Sequence, residues 1–188
     1  MLYVIILLCA LTAIGAVSNV EKSTGVKFPD KINGLDLLGV GVRKKGPLKV
    51  YALGLYSTPP PPTPLKSLFK TLLSSPKSTL LLSLTFSSVT GPKMASALSS
   101  SLSTRYPSPS KVTELSSVIT SGASSSKIGK GTLFQFDCSP DSVSVVINGK
   151  EAGEVEGKGI GKAFCEIYLD EKGVSKGLKE DLKENWGE

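Results

Sequence analysis

The sequence predicts an α+β domain, an antiparallel sheet with helices packed against one of its faces. Three observations carry that prediction. Runs rich in Val, Leu and Tyr flank a Gly-Pro reversal within residues 35–56, a second such pair lies within residues 131–157, and a block of helical periodicity sits between the two.

The elements follow in order. Residues 1–20, MLYVIILLCALTAIGAVSNV, carry no charge before Glu21. The apolar core ends near Val17, short of the ~20 residues that span a bilayer. Small residues stand at Gly15, Ala16 and Ser18 in the manner of a signal-peptidase site, so residues 1–18 read as a signal or targeting segment with cleavage expected between Gly15 and Asn19. No Lys or Arg precedes the apolar run, which leaves an uncleaved anchor as the alternative. The expected destination is the secretory pathway or the cell exterior, or a plastid reached through the endoplasmic reticulum; the mature chain is expected to keep no membrane span. Residues 24–188 then form a single domain, since a chain of 188 residues is long enough to bury one core.

A short strand in residues 26–34 runs into a turn at Asn33-Gly34. The hairpin of residues 35–56 reverses around Lys44-Lys45-Gly46-Pro47, where Gly supplies positive φ and Pro fixes its own. Strand alternation places Leu35, Leu37, Gly39, Gly41 and Arg43 on one face and Leu38, Val40 and Val42 on the other. The two glycines leave the first face nearly bare, so something is expected to approach the backbone there, and a ligand beside Arg43 would fit. The run Thr58-Pro-Pro-Pro-Pro-Thr-Pro64 cannot donate ladder hydrogen bonds and reads as a rigid connection. An amphipathic helix is expected over residues 65–74 from Leu65, Leu68, Phe69, Leu72 and Leu73, and a central strand over residues 79–89. Thr90-Gly91-Pro92 opens a second helix with Met94, Ala97, Leu98 and Leu102 on its apolar side. Ser110 caps a third, carrying Val112, Leu115, Val118 and Ile119 and ending before Gly122, with a loop over residues 121–127. Strands return at residues 132–138 and 143–149 around a turn at Ser139-Pro140-Asp141, and residues 151–157 complete the sheet. Two helices, residues 159–169 and 175–184, close the chain with Gly173 as a stop between them.

Composition narrows the chemistry. The net charge of +6 permits contact with anions, yet the lysines are scattered from Lys22 to Lys183 and aromatics make up 6% of residues, so no basic stripe with stacking rings is present and no nucleic-acid partner is expected. The chain has no histidine. Imidazole bases, His-ligated metals and Ser-His or Cys-His nucleophiles are thereby excluded, and neither a metal nor another cofactor is expected. Cys9 leaves with the signal. Cys138 and Cys165 read as buried free thiols, with pairing in an oxidising compartment as the alternative. A monomer is expected.

The pattern FPDKINGLDLLGVGVRKKGPLKVYALGLY followed by VSVVINGKEAGEVEGKGIGKAFCEIYLDEKGVS resembles the chalcone isomerase and chalcone isomerase-like family over about residues 26–182. The resemblance implies an open-faced β-sandwich: a long antiparallel sheet, a helical layer on one face, and a ligand cleft between. In true chalcone isomerases a cleft Arg polarises the substrate carbonyl or holds the phenolate, while Thr, Tyr and Asn hydrogen-bond the reacting groups through water. The product is a flavanone, formed by intramolecular addition of a phenolate oxygen to an enone. Arg43 matches that Arg. The Thr position falls on Tyr51, the Tyr and Asn positions on Met94 and Ser101, and a ring-contacting Thr or Ser position on Ile167. Oxyanion donors are worth ~2.7 to 4 kcal/mol each, so losing several removes most of the catalysis. Arg with Tyr resembles the fatty-acid-binding branch instead.

The expected function is therefore binding of a fatty acid or similar apolar carboxylate, with Arg43, Tyr51, Met94, Ser101 and Ile167 as ligand-binding residues. The alternatives are a chalcone-flavanone isomerase with Arg43 catalytic, and an interaction module in which Arg43 is only a hairpin-end salt-bridge residue. One geometric condition applies. Arg43 and Tyr51 serve a common carboxylate only from the same face of the sheet, which requires an odd turn or a bulge in the hairpin.

Overall fold

The computed structural model describes residues 19–61, 63–124 and 128–186. The expected signal segment, residues 1–18 with Cys9, lies outside the described residues. Two short strands, β1 (Val20–Glu21) and β2 (Val26–Lys27), pair with each other, and seven more form one antiparallel sheet. These are β3 (Lys31–Ile32), β4 (Leu35–Lys45), β5 (Leu48–Ser57), β6 (Ser78–Leu84), β7 (Leu133–Ser139), β8 (Ser142–Ile147) and β9 (Lys150–Glu156), neighbours in that same order. Helix α1 (Leu65–Leu73) joins β5 to β6, α2 (Gly91–Ser103) and α3 (Pro109–Ser124) join β6 to β7, and α4 (Ile160–Leu169) and α5 (Lys176–Trp186) follow the sheet. The curled sheet and its five helices make the α+β architecture that the sequence predicts.

Turn chemistry explains why strand follows strand. Asn33-Gly34 and Asn148-Gly149 both hold positive φ, as a two-residue reversal of type I′ needs. In the hairpin Gly46 has φ 58° ahead of Pro47, and Lys45 pairs with Leu48. All seven residues of β6 are buried, as befits a middle strand covered on both faces. The main core lies between sheet and helices, where Leu53, Leu80, Phe134 and Val145 meet Leu68, Leu98, Leu115 and Phe164. On the opposite face Leu37, Val40, Ala52, Tyr56 and Leu81 gather under Phe28, and the Tyr56 hydroxyl donates to the Pro29 carbonyl at 2.9 Å. The sandwich is therefore covered by the N-terminal segment over its first half and open over β7 and β8, where burial alternates residue by residue.

Several expectations change. The register slips at Leu38, between the pairs Leu37–Tyr56 and Gly39–Leu55. This bulge breaks the alternation, so Leu37 joins the far face while Leu38, Gly39, Gly41 and Arg43 do not. The bare track at the glycines is filled by the chain's own α5: a Cβ on Gly41 would lie 2.4 Å from the Leu178 backbone nitrogen, and one on Gly39 3.0 Å from Leu182. Lys31 and Ile32 pair with the start of β4 and the Asp30 carbonyl accepts from Leu37 N–H at 2.9 Å, while α5 and the residue before it meet three main-chain groups further along that edge. Val40 N–H donates to Asp181 Oδ2 at 2.8 Å, Trp186 Nε1–H to the Leu38 carbonyl at 2.8 Å, and Ser175 Oγ–H to the Val42 carbonyl at 3.1 Å.

The central strand stops at Leu84, and Phe86 beyond it is partly exposed. Helix α3 starts at Pro109, with the Ser108 carbonyl accepting from Val112 N–H, and continues through Gly122 to Ser124. Gly122 is a contact rather than a stop, since a Cβ there would lie 2.4 Å from that of Ala152 on β9.

Candidate functional site

The site is built on the end of the first hairpin. From the Gly46-Pro47 turn the ladder pairs Lys45 with Leu48 and Lys44 with Lys49, a register that would put Arg43 opposite Val50. Val50 instead bulges out, its carbonyl accepting from Thr85 N–H at 3.1 Å, and Arg43 pairs with Tyr51. The bulge meets the parity condition: Arg43 and Tyr51 share a face, and Tyr51 belongs to the helix-side core.

Across from them Tyr168 projects from α4. The spacing Phe164, Ile167 and Tyr168 puts all three on the buried side of that helix. The Tyr51 and Tyr168 hydroxyls lie 3.2 Å apart, both in buried residues. Burial pushes the Tyr51 phenol above its ordinary range, with the Tyr168 hydrogen bond and the Arg43 charge acting the other way. Burial and the neighbouring Tyr51 push Tyr168 well above its own. Both hydroxyls therefore stay neutral at pH 7 and can donate to an anion. Arg43 is half-buried, and Nη1 donates to the Val174 carbonyl at 3.2 Å in the connection from α4 to α5. No carboxylate pairs with it among the described residues.

Met94 and Ile167 are buried in the same core as Tyr51, offering carbon and sulfur surface only. Ser101 is different. It lies on the wetter side of α2, its hydroxyl donates to the Ala97 carbonyl at 3.0 Å, and its own carbonyl accepts from Arg105 at 2.7 Å. The structure thus brings Arg43 and Tyr51 together, adds Tyr168 and Val174, which the sequence did not single out, and leaves Ser101 outside that group. Tyr168 was one position from a residue that was singled out, and its helical spacing is the signal that marks it as facing the sheet.

Three surface cavities of about 240, 190 and 300 Å³ open elsewhere, the first along Cys138 and Cys165, the second beside α5 and the third near Lys49 and Lys130; none of the three is lined by Arg43, Tyr51 or Tyr168. Among the described residues no cluster of three or more His, Cys, Asp or Glu side chains could hold a metal ion, and no helix is long and apolar enough to cross a membrane.

The family model described as chalcone isomerase-like matches residues 20–182, from β1 into α5. The chain belongs to the chalcone isomerase-like family. Among 36 similar solved chains is the Arabidopsis thaliana fatty-acid binding protein AtFAP1, with a TM-score of 0.72 at 24% identity over 88% of this chain and 95% of that one. At that identity the likeness establishes the chalcone isomerase-like fold. The curated proteins contain no match to the chain.

Proposed function

We propose that this chalcone isomerase-like protein binds a fatty acid or similar apolar carboxylate, with the carboxylate at Arg43 and the Tyr51 and Tyr168 hydroxyls beside it, and does not cyclise chalcones. The observation that carries this reading is the pairing of Arg43 with Tyr51 on the helix-facing side of the sheet, with no carboxylate on the guanidinium among the described residues. Arg offers five N–H donors in a planar fork suited to two parallel bonds with a carboxylate, and here one recorded bond goes to Val174. A ligand carboxylate would replace that neutral carbonyl with a charge-assisted partner. Its chain would pass among carbon-rich side chains such as Met94 and Ile167, parting packed groups as it enters.

The same geometry argues against cyclisation. A general base works best with a pKa near the operating pH, and both tyrosines are displaced in the opposite direction. With Met94 and Ile167 apolar at two of the expected polar positions, two of the donors that would orient a phenolate and stabilise an enolate are replaced by groups that cannot donate. The likeness to a fatty-acid binding protein supports the choice of ligand class.

Native mass spectrometry of the purified protein tests the reading, with retained fatty acid as the expected result. A chalcone progress curve at neutral pH should follow the spontaneous rate. Turnover near the enzyme median of about 10 per second would overturn the non-catalytic half of the proposal.

A further inference from the structure

Cys138 on β7 and Cys165 on α4 lie 27 positions apart in sequence, yet both are buried free thiols on the wall of one cavity, where the Cys138 thiol donates to the Phe136 carbonyl at 3.9 Å. Packing on both sides fixes the meeting. Two residues before Cys138 and one before Cys165, the rings of Phe136 and Phe164 stack with centroids 4.7 Å apart. One residue after Cys138, the Ser139 carbonyl lies so close to Gly161 that a Cβ there would be 1.7 Å away, so only glycine lets α4 approach the strand end this closely. Buried structural cysteines are ordinarily inert. These two differ in lining a single cavity of about 240 Å³, together with Leu72, Ser75, Pro140 and Lys162.

We propose that Cys138 and Cys165 are a redox-convertible pair, in which a peroxide entering the cavity drives formation of a disulfide that staples α4 to β7. The sulfur of one thiol attacks a peroxide oxygen and the O–O bond breaks. The departing hydroxide takes the thiol proton as water, leaving a sulfenic acid. The sulfur of the second thiol then attacks the first, the S–S bond forms, the S–O bond breaks, and the oxygen leaves as water with the second proton. Two thiols and one peroxide give one disulfide and two waters. The neighbouring Cys165 thiol and burial push the Cys138 thiol up, and either sulfur can take the peroxide oxygen with the other resolving it. A disulfide brings its sulfurs to about 2.05 Å, so the Cys138 thiol must turn from the Phe136 carbonyl toward Cys165 across the cavity wall they share.

The test treats the full chain with hydrogen peroxide, denatures it, blocks free thiols with N-ethylmaleimide and maps the unreduced peptides. The expected product is a cross-linked peptide joining Cys138 to Cys165, lost on reduction, in a protein whose Tm rises by about 5 to 10 °C. Maleimide on both thiols, separate sulfinic acids, or links to Cys9 alone would overturn the proposal. In Cys138→Ser and Cys165→Ser, with no resolving thiol at hand, dimedone should trap the remaining thiol as the sulfenic acid in at least one of the two; no label in either would also count against it.

Discussion

Arginine occurs at two positions in this chain, and the two are held in opposite ways. Arg105, between α2 and α3, is saturated: Nε and Nη2 grip the two oxygens of Asp170 at 2.8 and 3.0 Å, and Nη1 donates to the Ser101 carbonyl at 2.7 Å. Asp170 is the C-terminal cap of α4, so this fork ties the end of one helix to the end of another. Among the described residues Arg43 makes one hydrogen bond, to a neutral carbonyl, and faces two neutral hydroxyls. Both reach the connection from α4 to α5, one at Asp170 and the other at Val174. A guanidinium with a matched carboxylate acts as a strut; one held among neutral groups keeps its charge available to a ligand.

The largest expected effect separates these roles. Arg105→Ala should cost about 2 to 3 kcal/mol of stability, below the ~3 to 5 of a fully buried pair because Asp170 is partly wet. Urea titration reads this, and fatty-acid affinity of the folded fraction should stay at the parent value. An unchanged midpoint would mean that Arg105 is no strut. Arg43→Ala should do the reverse, changing stability by less than about 1 kcal/mol and weakening fatty-acid binding roughly 10- to 100-fold in calorimetry. Equal affinities for mutant and parent would erase the distinction between the two arginines.

A smaller effect sharpens the Arg43 side. Tyr168→Phe removes one hydroxyl and keeps the ring, so binding should weaken by about fivefold, near 1 kcal/mol, with α4 still packed. A loss as large as that of Arg43→Ala would move the anchor from the arginine to the tyrosine pair.

The smallest effect concerns Asp181, a carboxylate with no arginine at all. Burial raises its pKa, with the Val40 N–H bond acting the other way. The folded state therefore holds the proton more tightly than the unfolded one, and Asp181 contributes most below the ordinary carboxylate pKa. That contribution falls as pH rises through the raised value. Asp181→Asn keeps an oxygen for Val40 N–H and removes the titration, so stability at pH 7 should change by less than about 0.5 kcal/mol, or rise, while the acid-side slope flattens. A marked loss at pH 7 in thermal melts would show that the charge itself holds α5.

What the sequence disclosed follows from how local each cause is. The reversals at Asn33-Gly34 and Gly46-Pro47 were legible because positive φ and the missing proline N–H act within two residues. The amphipathic spacings of α1 and α2 were legible for the same reason, except that Leu65 and Ala97 are exposed and Ala95 is buried instead on α2. The Leu38 bulge was not, since it replaces a local alternation with a register fixed by β5 and α5. Gly39 and Gly41 announced a close approach correctly, yet nothing near them says that Leu178 and Leu182 make it. Arg105 passed unread because its carboxylate lies 65 residues further on. At the site, Arg43 and Tyr51 were found through family resemblance and parity, whereas Tyr168 meets Tyr51 across 117 residues and only folding joins them.

The way α5 covers β4 has a consequence for the protein's behaviour in a crowded solution. Strand edges recruit other strands, and here the main-chain groups of Leu38, Val40 and Val42 are occupied by Trp186, Asp181 and Ser175 in place of another strand. Lifting those 11 residues of helix would expose a glycine-lined edge with little side-chain bulk to repel a second copy. A lesion in α5 is then expected to act first on colloidal stability, through growth of a sheet between molecules.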